Sequence, residues 1–184
     1  MAHISLPDNL PGIVGLLAAY PHTGRALSSL AHSLLHSPET SDLEHWQREF
    51  IAAYVSYLNC CNFCYASHRA AAEAAKGVEF GFFRPFFEQN ELSTSPDYIS
   101  PLFEKLLKIA QSVQGACKAV DSKLIEEARS AGATDIMIHE TILIAAAFCM
   151  YNRYVDGLAT FSMPPDHPSY WEMGQQLVQK GYQR

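Results

Sequence analysis

The sequence predicts an all-α fold in a single domain, and three observations carry that expectation. Apolar residues recur at i, i+3, i+4 and i+7 along most of the chain. No stretch sustains the apolar–polar alternation of a half-buried strand. Proline, glycine and capping residues fall where successive helices should start and stop. The chain has 184 residues, enough for a real apolar core. We expect one domain over 1–184, with its core over about residues 10–160 and a tail over 161–184.

Pro11 opens a short helix, Gly12 to Tyr20, which Pro21 is expected to close. Thr23 to His36 follows, apolar at Leu27, Leu30, Ala31, Leu34 and Leu35. Ser37 to Ser41 reads as a turn, with Ser41 or Asp42 capping a helix from Asp42 to Leu58. On that helix Leu43, Trp46, Phe50, Tyr54 and Tyr57 form one stripe, and Glu49 sits beside it at the rim of the core. Asn59 to Asn62 breaks the pattern. An alanine-rich helix then runs from Asn62 to Lys76 and stops at Gly77.

The segment from Phe80 to Phe87 suggests a short helix or lid, followed by a polar loop through Tyr98. Ser100 and Pro101 start a helix from Leu102 to Gln114. Another runs from Val120 to Ala131 and ends at Gly132. Thr134 and Asp135 open a long apolar helix through about Ala159, and the tail carries an amphipathic piece from Tyr170 to Lys180.

Composition narrows the function. The formal net charge is -6, and no Lys/Arg stripe provides the footprint that nucleic acid or an anionic membrane surface demands. The longest apolar run, Ile142 to Tyr151, is about half of a membrane span. No secretory pattern opens the sequence, so a cytoplasmic location is expected. With 48% apolar and 17% charged residues, surface hidden between subunits of a homo-oligomer is also expected.

There are five cysteines: Cys60, Cys61, Cys64, Cys117 and Cys149. An odd count in a reducing compartment turns a C-x-x-C toward redox or metal chemistry. The pattern Glu49-x11-Cys61-x2-Cys64-x3-His68 carries that chemistry. In a helix beginning near Cys61, the two sulfurs and the imidazole share one face, close enough for a disulfide across one turn and a His68–Cys64 hydrogen bond. The first turn's free N–H groups and dipole should lower a thiol pKa there. Glu49, from the preceding antiparallel helix, can orient His68. Zinc is the weaker reading. There is no second C-x-x-C or H-x3-H, and although His45 or Cys60 offers a fourth ligand, ligands on successive turns of one helix crowd a tetrahedral ion. We take Cys60 as a buried bystander and Cys117 and Cys149 as small apolar residues. No metal or cofactor is expected.

Arg48-Glu49, Val55-Ser56, Asn59, Cys61-Asn62-Phe63-Cys64 and His68-Arg69 together resemble the core of the AhpD-like alkylhydroperoxidase / carboxymuconolactone decarboxylase family. Leu10-Pro11-Gly12-Ile13, Leu16-Leu17-Ala18, Ala131 to Asp135 and Asn152-Arg153 resemble its peroxidase-related branch. The resemblance implies an AhpD-like helical bundle and a homo-oligomer. It implies Cys64 as the sulfur that attacks a hydroperoxide substrate, Cys61 as the resolving sulfur, and Glu49 and His68 as the proton relay. A lipoylated or thioredoxin-like partner would reduce the disulfide. AhpD carries a histidine where this chain has Phe63, which an ideal helix points away from the sulfurs. The decarboxylase branch lacks the cysteine pair. A non-enzymatic thiol redox sensor or interaction protein is the alternative, followed by a metal-binding module or a lactone decarboxylase. Phe80, Phe82, Phe83, Phe86 and Phe87 suit core or interface better than an apolar mouth for substrate.

Overall fold

The computed structural model describes residues 2–36, 41–89, 96–115 and 118–183. Among these residues it contains nine α-helices and no strand. Helix α1 is Gly12–Ala19. Helix α2, Pro21–Ala31, continues into a π-helical turn, His32–His36. Then come α3 (His45–Leu58), α4 (Asn62–Lys76), α5 (Arg84–Gln89), α6 (Pro101–Gly115), α7 (Ser122–Ser130), α8 (Asp135–Gly157) and α9 (Ser169–Lys180). No described helix is long and apolar enough to cross a membrane.

The α3–α4 hairpin is the centre of the fold. Helices α6 and α8 pack on α3, and α9 packs along α4. The turn between α3 and α4 explains why the cysteines stand where they do. Cys60 takes a left-handed backbone, φ 59°. Its N–H donates to Tyr57 O at 2.9 Å and the Cys61 N–H donates to Ser56 O at 2.9 Å. That pair of bonds closes α3 as a Schellman motif, usually built on glycine. Cys61 then leads α4 as its extended N-cap residue. At the far end Gly77, φ 75°, stops α4 as the sequence suggests.

Two apolar clusters flank the hairpin. In the larger, Phe50 lies 5.0 Å from Phe83 and from Phe86 and 5.2 Å from Phe87, ring centre to ring centre. Trp46 and Phe103 join them. Phe83, Phe86 and Phe87 are therefore core, buried under α3, whereas Phe82 is exposed and Phe80 is half-buried against the second cluster. The smaller cluster holds Val14, Leu16, Phe63, Ala66, Ala70, Val155 and Tyr170 together with Cys61 and Cys64. Helix α9 lies flush there: a Cβ on Gly174 would stand 2.6 Å from the Ala70 carbonyl carbon.

Some boundaries differ from expectation for identifiable reasons. Pro21 opens α2 instead of closing α1, because its missing N–H costs nothing at a first helical position. Glu44, not Ser41 or Asp42, leads α3, and its N–H donates to Gln47 Oε1 at 2.9 Å. The Ser41 hydroxyl is occupied elsewhere, donating to Glu140 Oε2 at 2.7 Å and receiving the Leu43 N–H at 3.1 Å. The turn expected over Ser37 to Thr40, part of the loop before Tyr98, and Cys117 lie outside the described residues.

Candidate active site

Glu49 and His68 face each other across the hairpin. Their sequence positions put them on opposing helices, and the turn at Cys60 sets the register. His68 Nδ1 lies 2.8 Å from Glu49 Oε2. Glu49 is fully buried, deeper than the rim position its helical wheel suggests. Burial alone would push its carboxyl up, but the approaches of His45, His68 and Tyr182 overcome it and hold the group at about 2. An ionised carboxylate accepts only, so the Nδ1 facing it carries a proton. The imidazole is clamped further by the edge-on ring of Phe148, 4.5 Å away.

Tyr182, near the end of the chain, is a participant that the sequence pattern did not reveal. Its hydroxyl donates to Glu49 Oε1 at 2.6 Å and lies 3.3 Å from His68 Nδ1. His45 Nε2 stands 3.6 Å from the same Glu49 oxygen, beyond hydrogen-bond reach. Behind it, the His36 ring lies 5.5 Å from that of His45, and the His32 ring lies 4.8 Å from that of His36.

The two sulfurs occupy different settings. Cys61 is fully buried and Cys64 is 2% exposed, and both are free thiols. Cys64 lines a cavity of about 70 Å³ with His68, Ser67, Phe63, Phe148, Tyr151 and Tyr182, among other residues. Cys61 faces a separate depression beside Cys60, Tyr57, Asn62 and Tyr65. Cys64 and His68 thus share a chamber as the spacing requires, but no hydrogen bond joins them directly among the described contacts. Phe63 lines the same chamber. The wheel directed it away; its ring instead packs against Gly12 of α1, where a Cβ would stand 2.2 Å from it.

The Cys64 thiol is pushed well up, against the expected lowering. The close approach of Cys61 comes first and burial second, while Asn152 pulls the other way. The helix N-terminus does not outweigh them. Asn152 is positioned by its own network: its Nδ2 donates to Ser56 Oγ at 3.0 Å, and Asn59 Nδ2 donates to its Oδ1 at 2.9 Å. Asn59 Nδ2 also stands 3.7 Å from Cys149 Sγ. Cys60 is exposed, not buried, because the left-handed turn directs it outward. Among the described residues, no three His, Cys, Asp or Glu side chains are arranged to hold a metal ion.

No family model and no curated protein matches the sequence. Solved structures do match. One is an alkylhydroperoxidase AhpD core structure, an uncharacterized peroxidase-related protein from Ralstonia eutropha JMP134. It is 23% identical, the match covers 92% of this chain and 91% of that chain, and the TM-score is 0.73. Another is an uncharacterized peroxidase-related protein from Silicibacter sp. TM1040, 24% identical over 92% of this chain and 94% of that chain, with a TM-score of 0.72. The chain therefore has the all-α AhpD-like fold.

Proposed function

From this fold and site we propose that the chain is a thiol oxidoreductase that reduces alkyl hydroperoxides, cycling Cys61 and Cys64 between dithiol and disulfide. The observation that carries the reading is the 2.8 Å Glu49–His68 contact, which orients an imidazole into the chamber that holds Cys64. Peroxidase-related names among the structural neighbours support the same class.

The reduced site rests with Cys64 protonated, so the base must act in the reaction itself. His68 Nε2 takes the thiol proton through a molecule lodged in the chamber, and Glu49 stabilises the imidazolium that forms. The Cys64 thiolate attacks the distal peroxide oxygen and the O–O bond breaks. The alkoxide leaves with the proton from His68, as an alcohol, and Cys64 becomes a sulfenic acid. The Cys61 thiol then displaces water from that sulfur, giving the disulfide. An external dithiol, lipoylated or thioredoxin-like, donates the two electrons that restore the pair. The mostly apolar lining and the volume of the chamber suit a short organic substituent or a few waters. We further propose that the protein works as a cytoplasmic homo-oligomer, without nucleic acid or membrane partners.

Peroxide consumption by stopped flow, with thiols counted before and after, tests the assignment. Cys64→Ser should abolish turnover, and Cys61→Ser should accumulate a sulfenate that a dimedone probe traps. Wild-type rates in Cys64→Ser would end the proposal. A protein that oxidises once and is not turned over by any dithiol would be a redox sensor instead.

A further inference from the structure

We infer that Tyr182 is a positioning residue of the Glu49–His68 pair, and that its ring closes the chamber over Cys64. The inference extends the thiol-oxidoreductase reading and rests on it. Its basis is that the pair is completed by the far end of the chain, which brings a hydroxyl, an aromatic plane and a wall to one place.

The two carboxylate oxygens of Glu49 are divided between elements. His68 holds Oε2 at 2.8 Å and the Tyr182 hydroxyl donates to Oε1 at 2.6 Å. A carboxylate gripped at both oxygens cannot rotate, so the imidazole it orients cannot rotate either. The phenol ring lies nearly parallel to the imidazole, 13° between planes and 5.9 Å between centres. Burial and the Glu49 charge push the phenol well above its usual range, so it keeps its proton and remains a donor. The other titratable or charged groups around the pair are His45 and Arg48 on α3, His36 and His32 on the π-turn, and Tyr151 on α8.

The tail that delivers Tyr182 is seated at several points. Arg69 of α4, 1% exposed, donates from Nη2 to Pro165 O at 3.1 Å, just before α9. After α9, the Gly181 N–H donates to Leu177 O at 2.9 Å, and Gly181 has φ 70°. A Cβ there would stand 2.3 Å from His32 Nδ1. The Tyr182 N–H donates to that same nitrogen at 3.3 Å. Met173 and Leu177 of α9 line the chamber beside Tyr182, so one terminal segment supplies that whole wall. The other lining residues lie on α1, α2, α4 and α8, which are packed into the body of the fold.

The test is the rate of Cys64 alkylation by iodoacetamide across pH, read by peptide mass, in wild type, Tyr182→Phe and Tyr182→Ala. The phenylalanine variant keeps the ring and loses the donor. With Oε1 no longer shared, the carboxylate binds the imidazolium more strongly, and the acid limb of Cys64 reactivity should move up by about one pH unit. The alanine variant should in addition accelerate labelling by a bulky aromatic disulfide more than labelling by iodoacetamide, because the wall is gone. A Tyr182→Phe profile that superimposes on wild type or moves down overturns the inference, as does an unchanged reagent ratio in Tyr182→Ala. Alkylation uses no peroxide. Failure of wild type to oxidise with peroxide would therefore remove the enzymatic reading separately.

Discussion

Helix α3 buries two opposite kinds of surface. On one side Trp46 and Phe50 press into the aromatic cluster with Phe83, Phe86, Phe87 and Phe103. One residue away from Phe50, Glu49 is equally inaccessible but is held by an imidazole and a phenol. The first side gains stability from area removed from water and tolerates no loss of volume. The second must offset the desolvation of a charge with charge-assisted hydrogen bonds, and in return it keeps an ionised base partner dry. Complete burial therefore means apolar packing on one side of α3 and a hydrogen-bonded charge on the other, and only the partners distinguish them.

Breaking the aromatic side should have the largest effect on folding and little on the site. Phe50→Ala should lose about 3–5 kcal/mol in urea unfolding. Cys64 labelling per folded molecule should stay at the wild-type rate. A changed labelling rate would mean that the two sides are mechanically coupled.

The polar side should reveal itself through pH. Glu49 titrates at about 2 when folded against an ordinary 4.5. A depressed carboxyl stabilises the fold above the unfolded value and loses that contribution as pH falls through the folded one. About 3 kcal/mol should thus be present above pH ~5 and fade toward pH ~2. Glu49→Gln should flatten this acid slope in urea midpoints measured from neutral pH downward, and should slow peroxide turnover. Parallel curves for variant and wild type would contradict the assignment.

The smallest effect is expected at the turn that joins the two helices. Cys60 is a left-handed, exposed non-glycine residue. Cys60→Gly should raise stability by about 1 kcal/mol, a gain of about 2–4 °C in Tm, with no change in turnover. A drop in turnover would assign this thiol a part in the cycle.

Much of the hairpin was legible because its signals are local. The alanine-rich run and Gly77 delimit α4, and the distance from Glu49 to His68 fixes an antiparallel pairing that the structure contains. The depth of Glu49 was not legible, since the residue that caps its second oxygen, Tyr182, comes from the tail. Tyr182 lies 133 positions from Glu49 and just past the amphipathic pattern of α9, where no periodicity signals a role. Phe63 was misdirected for a similar reason: the approach of α1 at Gly12 decides its packing, not the wheel of α4. The raised Cys64 thiol likewise depends on its enclosure and the approach of Cys61, which a spacing argument does not weigh.

Gly174 gives the terminal segment a pivot. With backbone against backbone at Ala70, α9 has no side chain to cushion it, so its height above α4 is set by hard contact. Helix α9 continues six positions beyond it, roughly 9 Å of helical rise, before Gly181 turns the chain toward the phenol. A single methyl group at the fulcrum would swing that lever outward, and the tolerance of the chemistry would then be read in ångströms at a residue that touches none of the reacting atoms.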